Sequence, residues 1–136
     1  MKRTSVIIFL IFIFVTSVIS DSILFSKSND IVAEIAVAIK SGNATDVSKY
    51  FNSTLDITVP GNEGTYSKSQ SELILKDFFL KNPVKSFVVK HQGNSNDGSL
   101  YAIGNYETEA DFFRVYFLLK KVNANYLLHK LEFEKE

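Results

Sequence analysis

SFVVKHQGNSNDGSLYAIGNYETEADFFRVYFLLKKVNANYLLHKLEF, residues 86–133, is the stretch that decides the fold. Four runs of alternating, β-branched and aromatic residues follow one another here, separated by short polar turns, which is the pattern of an antiparallel meander. The clearest hairpin joins 111–121 to 126–133. A three-residue turn of Asn123, Ala124 and Asn125, with Asn125 left-handed, sets Val122 opposite Tyr126 and Leu119 opposite His129. It also sets Phe117 opposite Leu131 and Val115 opposite Phe133 as a core face, and pairs Leu118 with Lys130, Tyr116 with Glu132 and Arg114 with Glu134 on the other. A two-residue turn shifts the pairing by one and brings Phe117 beside Lys130, mixing the faces. In the run 100–106, either Tyr101, Ile103 and Asn105 or Leu100, Ala102, Gly104 and Tyr106 face the core, since each set mixes bulky with small or polar members. Gly104 marks a bulge or a bend.

Working outward, the sequence ahead of the meander supplies its cover. Ile31, Val32, Ile35, Ala36, Ala38 and Ile39 follow a helical period after Asn29 or Asp30, and Gly42 is placed to stop that helix. Asn43 caps a second, shorter helix in which Val47, Tyr50 and Phe51 fall together. Leu55, Ile57 and Val59 alternate as one isolated strand ended by Pro60 and Gly61, with Asn62, Glu63 and Gly64 as a turn. Ser67 with Gln70, and Ser69 with Glu72, form overlapping capping boxes for a third helix that turns Leu73, Ile74, Phe78, Leu75 and Phe79 inward and ends at Asn82 and Pro83. The order of elements is that of an α+β fold.

Lys2 and Arg3 precede an apolar run from Val6 to Val15, and Val18 and Ser20 fit a cleavage site before Asp21. This is the plan of a secretory signal peptide, too short in its apolar part for the roughly 20 residues that span a bilayer. The expected organisation is therefore a signal peptide at 1–20, cleaved after Ser20, and a single domain at 21–136, secreted or periplasmic and with no membrane contact after cleavage. The chain has 15 basic and 15 acidic residues and no cysteine. Losing Lys2 and Arg3 leaves a slightly acidic domain without a basic block, so nucleic acid is not an expected partner. An exported chain without disulfides must be held by its core, which suits a bacterial envelope.

Several stretches carry a family resemblance: Tyr66-Ser67-Lys68-Ser69-Gln70, Asp77-Phe78-Phe79, Asn82-Pro83-Val84-Lys85-Ser86-Phe87, His91-Gln92-Gly93, Tyr101-Ala102-Ile103-Gly104, the run from Arg114 to Lys121, and the closing strand. With them the chain resembles a nuclear transport factor 2-like domain, the cone-shaped fold shared by ketosteroid isomerase, scytalone dehydratase and many non-enzymatic modules. More narrowly, it resembles a family of small secreted bacterial proteins known only as a domain of unknown function. The resemblance implies three N-terminal helices on a strongly curved, mainly antiparallel sheet. It does not imply an activity, because this fold hosts enzymes, carriers and dimerisation units alike.

The isomerases of this superfamily use a carboxylate base and an oxyanion site inside the cone, and no motif here carries those residues over. Asp56 alternates out of phase with Leu55 and Ile57 and reads as solvated. His129 falls on the core face in the register above and is the best candidate base, weighed against a rim histidine bonded to backbone. Tyr50, Tyr66, Phe78, His91, Phe113 and Phe117 complete the residues expected around a pocket for a small apolar ligand. Two distant histidines and no cysteine make a zinc site improbable, and the single acid at 94–97 reads as a turn rather than a calcium loop. No cofactor is expected. Arg114, the only arginine after Arg3, is expected to pair with Glu134. The reading is an exported non-catalytic binding or interaction module, with a small cone-fold isomerase, dehydratase or hydrolase-like enzyme as the alternative. Because the run 112–119 is apolar on both faces, Phe112, Arg114, Tyr116, Leu118 and Leu128 are expected on an outer patch that makes a homodimer.

Overall fold

The computed structural model describes residues 20–136, with side chains from Ile31 onward. The expected signal peptide and its cleavage site lie outside the described residues. The chain divides into Met1–Ile31 and Val32–Glu136, and the second unit holds the sheet. Helices α1 (Ser20–Ser41), α2 (Ala44–Ser48) and α3 (Lys68–Lys81) accompany strands β1 (Phe51–Val59), β2 (Asn62–Ser67), β3 (Ser86–Asn94), β4 (Leu100–Glu107), β5 (Phe112–Val122) and β6 (Asn125–Lys135). The strand order is β2-β1-β6-β5-β4-β3. Every pairing is antiparallel except β1 with β6. The result is a curved, open, mixed sheet in an α+β fold, as the sequence led us to expect.

Local chemistry explains most element ends. Gly42, at φ 65, stops α1, a conformation that costs a residue without a Cβ little. Asn43 Oδ1 accepts from the backbone N–H groups of Thr45 and Asp46, capping α2. Ser67 Oγ accepts from Gln70 N at 3.3 Å and starts α3. Ser69 does not share that role, since its expected partner Glu72 instead accepts from Thr45 Oγ1 at 2.8 Å and ties α3 to α2. Asn82 closes α3 with both its backbone N and Nδ2 on Phe78 O.

Five expectations need correction. α2 ends at Ser48, so Tyr50 lies past it and Phe51 opens β1 instead of sharing a helix with Val47. α1 begins at Ser20, upstream of Asn29 and Asp30. The strand expected to stand alone is β1, which lies between β2 and β6. Asn62, Glu63 and Gly64 are not a turn: they open β2, while Pro60 and Gly61 (φ 87) form the two-residue loop, Pro before a positive-φ Gly as in a type II turn. The sequence hid β2 because its residues are mostly polar and exposed, as an edge strand's are. In α3, Leu73 is 65% exposed, and Ser71, Leu75, Phe78 and Phe79 face inward.

The β5–β6 hairpin reconciles both registers weighed above. Its turn has two residues, Asn123 and Ala124, with Val122 opposite Asn125, and Asn123 rather than Asn125 takes the positive φ, 56. Leu119 therefore pairs with Leu128, not with His129. Between Leu118 and Leu119 the register slips, so that from Leu118–Lys130 onward every expected pair is present. His129 is the extra residue, a β-bulge that moves the alternation by one and returns each face to its own side. Leu128, expected on the outer face, is consequently fully buried in the core.

Candidate functional site

The core face gathers aromatic rings from four elements. Phe78 of α3 lies 4.4 Å from Phe133, 5.3 Å from Phe113 and 5.7 Å from Tyr106 between ring centroids. Phe79 stacks on Tyr106 at 6.1 Å. Tilted and edge-to-face contacts of this kind suit the ring quadrupoles and add to plain burial. Of the pocket residues expected from sequence, Phe78 and Phe113 meet here and Phe117 is fully buried. Phe79 and Phe133, expected on the core side but not among the pocket residues, complete the cluster with Tyr106. The signal for Tyr106 was present: Leu100, Ala102, Gly104 and Tyr106 include no charge or amide, whereas Asn105 and Glu107 share the parity of Tyr101 and Ile103.

Buried polar groups are few and internally satisfied. Among the described residues they are Ser48, Ser71, Ser99, Thr108 and the Tyr106 phenol, and no histidine or charged side chain is buried. Tyr106 donates to Asn82 O at 2.6 Å, and burial pushes its phenol well above the ordinary tyrosine range. The other pocket candidates sit at the periphery. Tyr50 donates to Glu34 Oε2 at 3.3 Å, and its partial burial, with the Glu34 charge, raises its pKa. Tyr66 is half-buried on edge strand β2 with its ring over Gly64. His91 is exposed on the other edge strand, β3.

His129 is half-buried, and its Nδ1 lies 3.1 Å from Leu127 O. A carbonyl only accepts, so Nδ1 donates and, in the neutral ring, Nε2 is the acceptor nitrogen. This is the backbone-bonded rim histidine weighed from the sequence. Asp97 accepts from Ser99 N at 2.9 Å, a bond that stabilises its charged form, lowers its pKa and shapes the β3–β4 turn. Among the described residues no three His, Cys, Asp or Glu side chains gather as a metal site requires.

The outer face of the sheet is organised in cross-strand rows. One row runs Gly93, Tyr101, Leu118, Lys130, Asp56 and Thr65, and the next runs His91, Ile103, Tyr116, Glu132, Thr58 and Glu63. A third runs Val88, Asn105, Arg114 and Glu134, beyond which Phe112 pairs with Glu107. Tyr101, Ile103, Tyr116 and Leu118, all half-buried, thus form a contiguous apolar block, and Phe112 (56% exposed) and Val88 (49%) lie past the Asn105–Arg114 pair. Tyr101 and Ile103 belong to this patch in place of Leu128. Tyr101 lies over Gly93, where an added Cβ would meet its phenol oxygen at 2.8 Å. Beside the block, Lys130 binds Glu132 at 2.8 Å, and that bond raises the lysine pKa. Arg114 pairs with Glu134 at 3.9 Å, the partner expected from sequence.

The profile of a bacterial domain of unknown function, DUF4783, matches residues 32–134. The chain belongs to the DUF4783 family. A family member from Bacteroides ovatus superposes with a TM-score of 0.72 at 33% identity, covering 76% of this chain and 94% of that one. Another, from Bacteroides uniformis, gives 0.71 at 30% identity, over 76% and 95%. A nuclear transport factor 2-like protein of unknown function from Cytophaga hutchinsonii shares the fold, with a TM-score of 0.56 at 14% identity over 80% and 89%. No curated protein matches the sequence. The family and fold inferred from the motifs around Tyr66, Phe78, Asn82 and Arg114 are those of these DUF4783 relatives.

Proposed function

We propose that this DUF4783 protein is an exported, non-catalytic binding module that works through the outer face of its sheet rather than through the interior of the cone. The observation that carries the reading is the composition of the interior. Catalysis in a cone requires convergent polar groups around a reacting atom, whereas this interior packs Phe78, Phe79, Tyr106, Phe113 and Phe133 against one another. Its one phenol is committed to a backbone carbonyl. The outer face, by contrast, presents a contiguous apolar block bordered by charged pairs, the composition of an interaction surface.

One observation favours the enzyme reading. His129 is the bulged residue of β6, and bulges recur beside active sites because they re-aim a side chain. An enzyme acting on a small apolar ester or ketone would use its Nε2 as base. The two readings separate with a fluorescent dye that brightens in apolar pockets, combined with the His129→Gln variant. The binding-module reading expects no dye signal that small apolar esters compete away, and a variant that melts within a few degrees of the parent. A native-state signal competed by small apolar esters, with turnover that falls at least 100-fold in His129→Gln, would replace it with the enzyme. Intact mass of the envelope-fraction protein tests export: a species beginning at Asp21 is expected.

A further inference from the structure

We infer that the β5–β6 hairpin has two registers built into it, and that the polarity of His129 selects the one in which Leu128 faces the core.

His129 stands out of the ladder on both sides of β6. Towards β5, Leu118 pairs with Lys130 and Leu119 with Leu128, so no β5 residue stands opposite His129. Towards β1, Leu128 pairs with Phe51 and Lys130 with Asp56, so the register breaks at the same place. Moving residues 125–129 one place towards the turn would set His129 opposite Leu119 and make the ladder continuous. Leu128 would then stand opposite Lys120, and Tyr126 opposite Val122. The turn would lengthen from Asn123 and Ala124 to include Asn125. The pairs from Leu118–Lys130 to the end of β6 would be untouched.

Local chemistry favours the shifted register. A bulge leaves a residue without a ladder partner. In the two-residue loop Asn123 is at φ 56 and Ala124 is not at positive φ, the kind of loop whose first position belongs to glycine. A three-residue loop would put Asn125 at its left-handed position, which asparagine accepts readily. The shift would also gain Tyr126 against Val122, an aromatic and β-branched cross-strand pair. It would give up the contact of Lys121 Nζ with the Tyr126 ring, 5.9 Å from the centroid.

The core favours the other register, and wins. Leu119 and Leu128 are both fully buried. The Leu128 backbone N–H donates to Tyr50 O at 2.7 Å, a bond that any residue brought to that place can make. The two registers therefore differ there in the side chain they bury, a leucine or an imidazole. Burying the imidazole would strip water from its ring nitrogens, which is unfavourable without new partners. In the bulge it stays half-buried, with Nδ1 bonded to Leu127 O at 3.1 Å. The hairpin accepts a bulge and an imperfect turn in order to keep Leu128 in and His129 out. Register thus decides whether this part of the interior is lined by an aliphatic group or by a nitrogen base.

Nuclear Overhauser contacts between backbone protons of β5 and β6 test the inference, because they report which residues stand opposite one another. The parent is expected to show Leu119 with Leu128 and Val122 with Asn125. In His129→Leu these are expected to disappear in favour of Leu119 with residue 129 and Val122 with Tyr126. His129→Val is expected to do the same, with a side chain that strands accept. His129→Gln, polar like the imidazole, is expected to keep the parent contacts. Adding Asn123→Gly to His129→Leu suits the two-residue loop and is expected to bring the parent contacts back. Parent contacts retained in both His129→Leu and His129→Val would overturn the inference, since the flanking strands would then fix the bulge whatever its side chain. Loss of cooperative folding in both would overturn it as well, because neither would have had a second register to adopt. Shifted contacts in His129→Gln would overturn the part assigned to polarity, and shifted contacts that survive Asn123→Gly would overturn the part assigned to the turn.

Discussion

Gly104 shows how a single residue sets the shape of the sheet. It faces the core of β4 opposite Val89 and Val115, and a Cβ there would lie 2.7 Å from the Phe87 ring and 2.7 Å from the Val88 carbonyl oxygen. The carbonyl belongs to the backbone beside the Lys90 bulge and cannot swing away. Gly104→Ala is therefore expected to cost about 2–3 kcal/mol by overpacking, read as a lower urea midpoint with unchanged m-value. Gly93 gives the contrast. Its added Cβ meets only the Tyr101 ring, the far end of a side chain that can turn, so Gly93→Ala is expected to change stability by about 0.5 kcal/mol or less. The sequence marked Gly104 as a bulge or bend, but which atoms crowd it depends on the neighbouring strand.

At the scale of elements, caps and breakers were legible because they act over three or four residues. Gly42 bounds its helix through its positive φ, and Asn43, Ser67 and Asn82 bound theirs through their side-chain hydrogen bonds. Both Ser67 and Ser69 satisfied the capping pattern, yet only Ser67 holds the Gln70 N–H, since Ser69 already lies within α3 and Glu72 is drawn to Thr45. Ser67→Ala is expected to lower stability by about 1 kcal/mol and Ser69→Ala by much less, measured side by side by thermal unfolding. β2 and the His129 bulge were not legible. A short polar edge strand carries no hydrophobic alternation, and a bulge is invisible in a register argument that assumes one pairing along the whole hairpin.

For the whole molecule, stability converges on the ring cluster where α3 meets β4, β5 and β6. Tyr106 is fully buried and donates to Asn82 O at 2.6 Å, so it also fixes the end of α3. Tyr106→Phe is expected to cost about 1–2 kcal/mol, a fall in melting temperature of about 4–8 °C for each kcal/mol in a domain of this size. Its pH dependence has a definite sign. Burial raises the phenol pKa in the folded state, so above about pH 10 the unfolded chain has released a proton that the folded chain keeps. Stability is unaffected by this group at neutral pH and declines as pH rises past that value. Against the parent, Tyr106→Phe should be less stable at pH 7 and should lose stability less steeply above about pH 10. Equal slopes would mean that the phenol ionises without unfolding.

By itself the sequence determined the α+β class, the meander, the helix caps, the far half of the β5–β6 register and the family resemblance. These follow from periodicity and local hydrogen-bonding chemistry, which act between near neighbours. Only the tertiary structure decided that β1 pairs parallel with β6, that His129 bulges so that Leu128 turns inward, and that Tyr101 and Ile103 lie directly beside Leu118 and Tyr116. Each of those depends on which strand lies alongside, and a strand whose two faces are both largely apolar does not announce its orientation until its neighbours fix it.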